Sequence, residues 1–201
     1  MIENNVMSED QKKFALVLPL SGSMLHGANL AMEILSERFS ISYIASRSPS
    51  PHITMDSEFR IYDMKQFHST LRSRLEHTAS FFLKGKGLGI FVLDTPVIHI
   101  RWIVNDELNA LRKQIHLCLL DLQKRGVVSG YRNDPSWLPK TTIAFSDTSY
   151  DNLTAVLESI NGINFSGSFH VEDLSIYEYS LKGGEISISN IDFHPWDLFI
   201  G

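Results

Sequence analysis

Two short stretches decide how this chain folds: Pro51-His52-Ile53-Thr54-Met55 and, far downstream, Pro139-Lys140-Thr141-Thr142-Ile143. Along a strand, side chains alternate between faces, so His52 and Thr54 project together while Ile53 and Met55 project to the other side. Lys140 and Thr142 are related in the same way. If both stretches are strands anchored by their apolar residues, each offers one nitrogen group and one hydroxyl on a shared face.

The surroundings of the two stretches repeat. Ahead of the first, Met24, Ala28, Ala31, Met32, Leu35 and Phe39 recur at helical spacing and predict a core-facing helix. Ahead of the second, Leu108, Leu111, Ile115, Leu119 and Leu122 do the same. Asn105 or Asp106 starts this helix, and Gly126 stops it after Lys124-Arg125. A helix is expected from about Met64 to Phe82, through Phe67, Leu71, Leu75 and Ala79, and a shorter one around Asn152 to Asn161. From His52 to Met64 is twelve residues, and from Lys140 to Asn152 is twelve again. The same order of elements at the same spacing is the mark of a divergent internal duplication.

The remaining apolar segments read as strands. Phe14 to Leu20, FALVLPL, is a short run without alternation, predicting a strand buried on both faces. Ile41, Tyr43 and Ala45 alternate and predict another before the turn-rich SRSPSP. FFLKGKGLGIFVL and PVIHIRWIV are rich in aromatic and β-branched residues and meet at Asp94-Thr95-Pro96. VEDLSIYEYS and EISISNIDF, joined through Lys182-Gly183-Gly184, predict a hairpin. Gly85, Gly87 and Gly89 lack phosphate-loop spacing and predict a twisted or bulged strand. The fold class is therefore α+β, a single domain over residues 1–201 built of two interleaved lobes, with residues 1–13 as a polar tail.

With 201 residues, 43% hydrophobic and 20% charged, the chain can build a full core. A formal charge of −5 argues against a broad grip on duplex DNA. Cys118 is the single cysteine and lies in the apolar run IHLCLL, which reads as a buried small hydrophobe and excludes an intramolecular disulfide. The polar start and the absence of a long uncharged apolar stretch point to a cytoplasmic protein without membrane attachment.

Two nitrogens and two hydroxyls facing one another suit a phosphodiester. Reaction at phosphorus needs a group to take the attacking proton, a group to protonate the leaving oxygen, and donors for the nonbridging oxygens. Histidine serves either proton role and threonine donates without titrating. No zinc, calcium or P-loop spacing occurs, so neither metal nor cofactor is expected. His-X-Thr alone is a weak signal. It recurs at His68-Ser69-Thr70, which is discounted because a helix turns His68 and Thr70 about 200° apart.

PHITM and PKTTIAF, together with GLGIF and PVIHIRWIV between them, resemble the 2H phosphoesterase superfamily, which includes the 2′-5′ RNA ligases and cyclic phosphodiesterases. The resemblance extends from about Phe14 to Phe193. It implies a bilobal, pseudo-twofold fold in which two antiparallel sheets line a central cleft and helices pack outside. It also implies metal-independent action on 2′,3′-cyclic phosphates or 2′-5′ linkages of nucleotides or RNA ends. His52 and Thr54 match the family's first motif, and Thr142 matches the threonine of the second. Lys140 departs from the pattern, standing where the second histidine belongs. A lysine of ordinary pKa, about 10.4, cannot act as a base near neutrality, but it can hold phosphate or protonate a leaving oxygen. Three readings follow: an enzyme with His52 as base and Lys140 as clamp or acid, a nucleotide- or RNA-phosphate-binding protein without turnover, and a partner-binding scaffold. Tyr131, Arg132 and Trp137, in the loop before the second motif, either hold a base and phosphate or pin that loop to the core. Trp102 reads as structural.

Overall fold

The computed structural model describes residues 12–182 and 185–191. Strand β1, Lys13–Pro19, lies at the centre of a five-stranded sheet of order β5-β2-β1-β8-β9. The other strands of that sheet are β2 (His52–Ile61), β5 (Val128–Ser129), β8 (Ser175–Lys182) and β9 (Glu185–Ile191). Strands β3 (Phe81–Phe91), β4 (Val97–Trp102), β6 (Lys140–Ala144) and β7 (Ser168–Val171) form a second sheet of order β6-β4-β3-β7. Every ladder is antiparallel. The helices are α1 (Gly22–Phe39), α2 (Met64–Leu75), α3 (Asp106–Lys124) and α4 (Leu153–Ile160).

Burial explains the apolar run of β1. Phe14, Leu16 and Leu18 join the main core, while Ala15 and Val17 pack on the opposite face with Tyr177 and Tyr179. A strand with partners on both edges and cover on both faces has no reason to alternate. The predicted stripes of α1 and α3 are buried as expected. Asn105 caps α3 by accepting from Leu108 N at 2.9 Å, and Gly126 takes the left-handed φ of 73° just after it. The predicted hairpin forms between β8 and β9, with Lys182 paired to Glu185 across Gly183-Gly184, which lie outside the described residues, as do residues 192 and 193. Of the expected polar tail, Lys13 already belongs to β1 and Lys12 is ion-paired with Glu178 at 2.9 Å; residues 1–11 lie outside the described residues.

Two expectations are corrected. The strand over Ile41–Ala45 is a series of turns, because only Ile41 is buried and the local amides are used elsewhere. Asp147 accepts from Ser42 N and Tyr43 N, and Ser46 N donates back to Ser42 O. Helix α2 ends at Leu75, not Phe82. Ala79 is exposed, and Phe81 and Phe82 instead start β3, paired with Val171 and His170.

The halves interlock. In the order β2-β1-β8 the first two strands come from the first half and the third from the second; in β6-β4-β3 the origins are reversed. The motif strands occupy equivalent places, with His52 opposite Pro19 at the end of β1 and Lys140 opposite Arg101 near the end of β4. The glycine-rich β3 is irregular between Gly85 and Leu88. Gly89 pairs with His99, and a Cβ there would come within 2.6 Å of His99 Nε2 and 2.7 Å of Arg101 Cδ. The absence of a side chain at Gly89 is what lets the β4 side chains behind Lys140 and Thr142 lie across β3. Gly89→Ala should therefore destabilise the fold by about 1–3 kcal/mol, measured by urea unfolding; an unchanged midpoint would show that His99 can yield.

Candidate active site

The two motif strands share one burial rhythm. His52 and Thr54 are partly exposed while Ile53 and Met55 are buried; Lys140 and Thr142 are partly exposed while Thr141 and Ile143 are buried. The buried set anchors each strand. Ile53 and Met55 enter the core, and Thr141 Oγ1 accepts a 3.0 Å hydrogen bond from the buried Trp102 indole, giving Trp102 the structural place read for it. The other set meets in one cavity of about 280 Å³, bordered by His52, Thr54, Lys140 and Thr142 together. His68, the discounted match, lies on α2.

His52 is held in a defined tautomer. Its Nδ1 lies 2.8 Å from the carbonyl oxygen of Ser50, which can only accept, so Nδ1 carries the proton. In the neutral ring the lone pair is then on Nε2. The ring packs edge-on against Tyr177 at 4.8 Å. Burial lowers the His52 pKa; the Ser50 hydrogen bond opposes this and the Lys140 charge adds to it. The imidazole is thus neutral at pH 7.

Burial also holds the Lys140 ammonium below the ordinary lysine range. Its Nζ sits 5.9 Å from the centre of the Phe91 ring. Among the described residues bordering the cavity, the one carboxylate is Glu58, and it is ion-paired with Lys13. Arg47 adds a second cation, stacked 4.2 Å above the Tyr43 ring on the cavity wall. That wall is fastened by Asp147, which accepts from Ser42 N at 2.6 Å and Tyr43 N at 2.7 Å. Arg47 and Tyr43 carried no motif signal, because a residue more than a hundred positions away determines where their turn sits.

The aromatic loop divides. Tyr131 is 4% exposed and shares a 2.6 Å hydrogen bond with His116 Nδ1, and neither the first cavity nor its neighbour is bordered by it. Trp137 donates from Nε1 to Thr54 O at 2.9 Å and carries the Arg112 guanidinium 4.4 Å over its ring, so it pins the loop to β2 beside the first motif. Trp137 also borders, with the exposed Arg132, a second cavity of about 490 Å³ that adjoins the first along Thr54, Glu58 and Lys140. Asp56 is part of this second cavity and is 7% exposed, with its Oδ2 buried and without a partner. Desolvation pushes its pKa up to about 6, with Arg112 opposing and Asp134 adding to the rise. Among the described residues, no three His, Cys, Asp or Glu side chains group as metal ligands, and no helix is long and apolar enough to cross a membrane.

Two antiparallel sheets whose motif strands bring a histidine, a lysine and two threonines to one cleft define a 2H phosphoesterase fold. The chain belongs to the 2′-5′ RNA ligase superfamily, whose family model matches residues 30–183. Among solved structures, TT0787 of Thermus thermophilus is similar at 16% identity and a TM-score of 0.61, over 90% of this chain and 95% of that one. A structure titled as a phosphoesterase is similar at 14% identity and a TM-score of 0.54, over 90% and 96%. Escherichia coli LigT complexed with 3′-AMP is similar at 15% identity and a TM-score of 0.52, over 92% and 97%. No protein of curated function matches the sequence.

Asp56 has a measurable cost. A carboxyl whose folded pKa is raised stabilises the native state fully below its unfolded value near 4, and that contribution is lost as pH rises through about 6. Asp56→Asn removes the penalty. Urea unfolding should show the variant more stable by about 2–3 kcal/mol at pH 8 and equal to the parent at pH 4. A gap independent of pH would mean that Asp56 is not the titrating group.

Proposed function

We propose that the cavity between β2 and β6 binds the phosphate of a nucleotide or RNA end and supports metal-independent opening of a 2′,3′-cyclic phosphate or a 2′-5′ linkage. The observation that carries this reading is the His52 tautomer: Nδ1 is committed to Ser50 O, which leaves the Nε2 lone pair as the ring's base in a cavity shared with Lys140 and both threonines. In hydrolysis, His52 Nε2 takes the proton of a water as its oxygen bonds to phosphorus. The bond from phosphorus to the ribose oxygen breaks, and the Lys140 ammonium protonates that leaving oxygen. Burial makes this ammonium a stronger acid than an ordinary lysine. Thr54 and Thr142 donate to the nonbridging oxygens, with Arg47 and Lys140 balancing charge. Family membership supports the substrate class, and LigT, which shares the fold, has been crystallised with 3′-AMP and with ATP.

A second reading is favoured by one residue. With lysine in the place of the second histidine, the cleft keeps its attraction for phosphate and gives up one imidazole, as a binding protein without turnover would. The two readings separate when purified protein is incubated in EDTA with 2′,3′-cyclic nucleotides and 2′-5′ linked oligonucleotides. The enzyme reading expects product that His52→Ala abolishes. Binding by calorimetry with no product selects the binding reading, and neither binding nor product removes both. Lys140→His should raise turnover, while Lys140→Ala should weaken phosphate binding about tenfold. Because the folded pKa of His52 is depressed, the base-dependent rate should hold steady from pH 8 to below 6.5, falling only when the ring finally protonates.

A further inference from the structure

The two motif strands belong to different sheets, and among the described residues no ladder joins them: β2 pairs with β1 and β5, while β6, at the edge of its sheet, pairs with β4. Strand pairing therefore does not set the width of the cavity between them. A side chain makes the crossing. Trp137 Nε1 donates to Thr54 O at 2.9 Å, so the bond lands on the backbone of a motif residue, and Trp137 stands three positions ahead of Lys140. Three residues of chain reach at most about 10 Å. Pro139 is buried, fixes its own φ and keeps Leu138 out of the helical region, so little slack separates the anchor from the lysine. The rest of the loop has few holds, since residues 132–136 and 138 are exposed while Trp137 is half-buried. Helix α3 backs the indole. The Arg112 guanidinium lies 4.4 Å from the ring centre, and its Nη2 donates to Asp134 O at 2.8 Å. Asp134 Oδ1 in turn accepts from Ser136 N at 2.8 Å and from Ser136 Oγ at 2.6 Å. An indole offers both a flat face for a guanidinium and an N–H for a carbonyl; phenylalanine would keep the first and lose the second.

We propose that Trp137 is a positioning residue for the phosphate cavity: backed by Arg112, its indole ties the Thr54 backbone to the loop that carries Lys140 and so fixes the gap between the motif strands. The inference rests on the phosphate reading above. It adds to that site Arg112, a residue of α3 that borders the neighbouring cavity and not this one. A phosphate held from both sides needs that gap constant, and a displacement of an ångström weakens every contact made across it.

The test is Trp137→Phe in the full chain, with thermal melting to check its fold. Calorimetry with inorganic phosphate reads affinity, and an NMR titration reads the His52 ring, its signal assigned with His52→Ala. A gap no longer held admits water. The His52 pKa, depressed by burial in the parent, should then rise toward the ordinary histidine value, and phosphate affinity should fall about tenfold. Arg112→Lys, which keeps the charge but not the planar stack, should show both effects more weakly. A folded Trp137→Phe that binds phosphate like the parent overturns the proposal and leaves the phosphate reading standing; so does an unmoved His52 titration. If the folded parent binds no phosphate, the phosphate reading fails and the positioning role fails with it. Should Trp137→Phe not fold, Arg112→Lys decides by the same two readouts.

Discussion

The alternation of side chains along two short strands is the constraint on which everything else rests. Ile53 and Met55 on one strand, and Thr141 and Ile143 on the other, are fixed by the core and by the Trp102 indole. Once they are fixed, His52 with Thr54 and Lys140 with Thr142 have no choice but the opposite face. A slip of one residue in either ladder would bury the polar set and expose the apolar one. The core thus enforces the site, and the apolar residues of the motifs matter as much as the polar ones.

The electrostatics of the cleft follow from how little water it admits. Desolvation lowers the pKa of both nitrogen groups, leaving His52 unprotonated near neutrality and weakening the hold of Lys140 on its proton. Glu58 is occupied with Lys13 and does not neutralise the ammonium directly. An imidazole able to accept and an ammonium more willing to give are a complementary pair.

Much of this was legible in the sequence, and the exceptions share a cause. Helical stripes, the capped start of α3, the continuous apolar run of β1 and the repeated motif strands all announce themselves over a few neighbouring residues. What was misread depends on contacts between distant ones. The Ile41–Ala45 alternation is overridden by the Asp147 carboxylate, and the helical spacing of Ala79 and Phe82 by pairing with β7. Arg47 and the second cavity around Asp56 are assembled from separate parts of the chain, and no local pattern marks them.

The exchange of third strands between the halves bears on how such an architecture originates. A half-length chain of this design could not complete its own sheet; it would have to lend its last strand to a twin and borrow one in return. The cleft would then lie on the symmetry axis of a dimer, where each copy is obliged to contribute the same residue. Joining the copies into one polypeptide lifts that obligation. A lysine sharing a cleft with a histidine is a difference that one half-chain paired with an identical copy cannot encode.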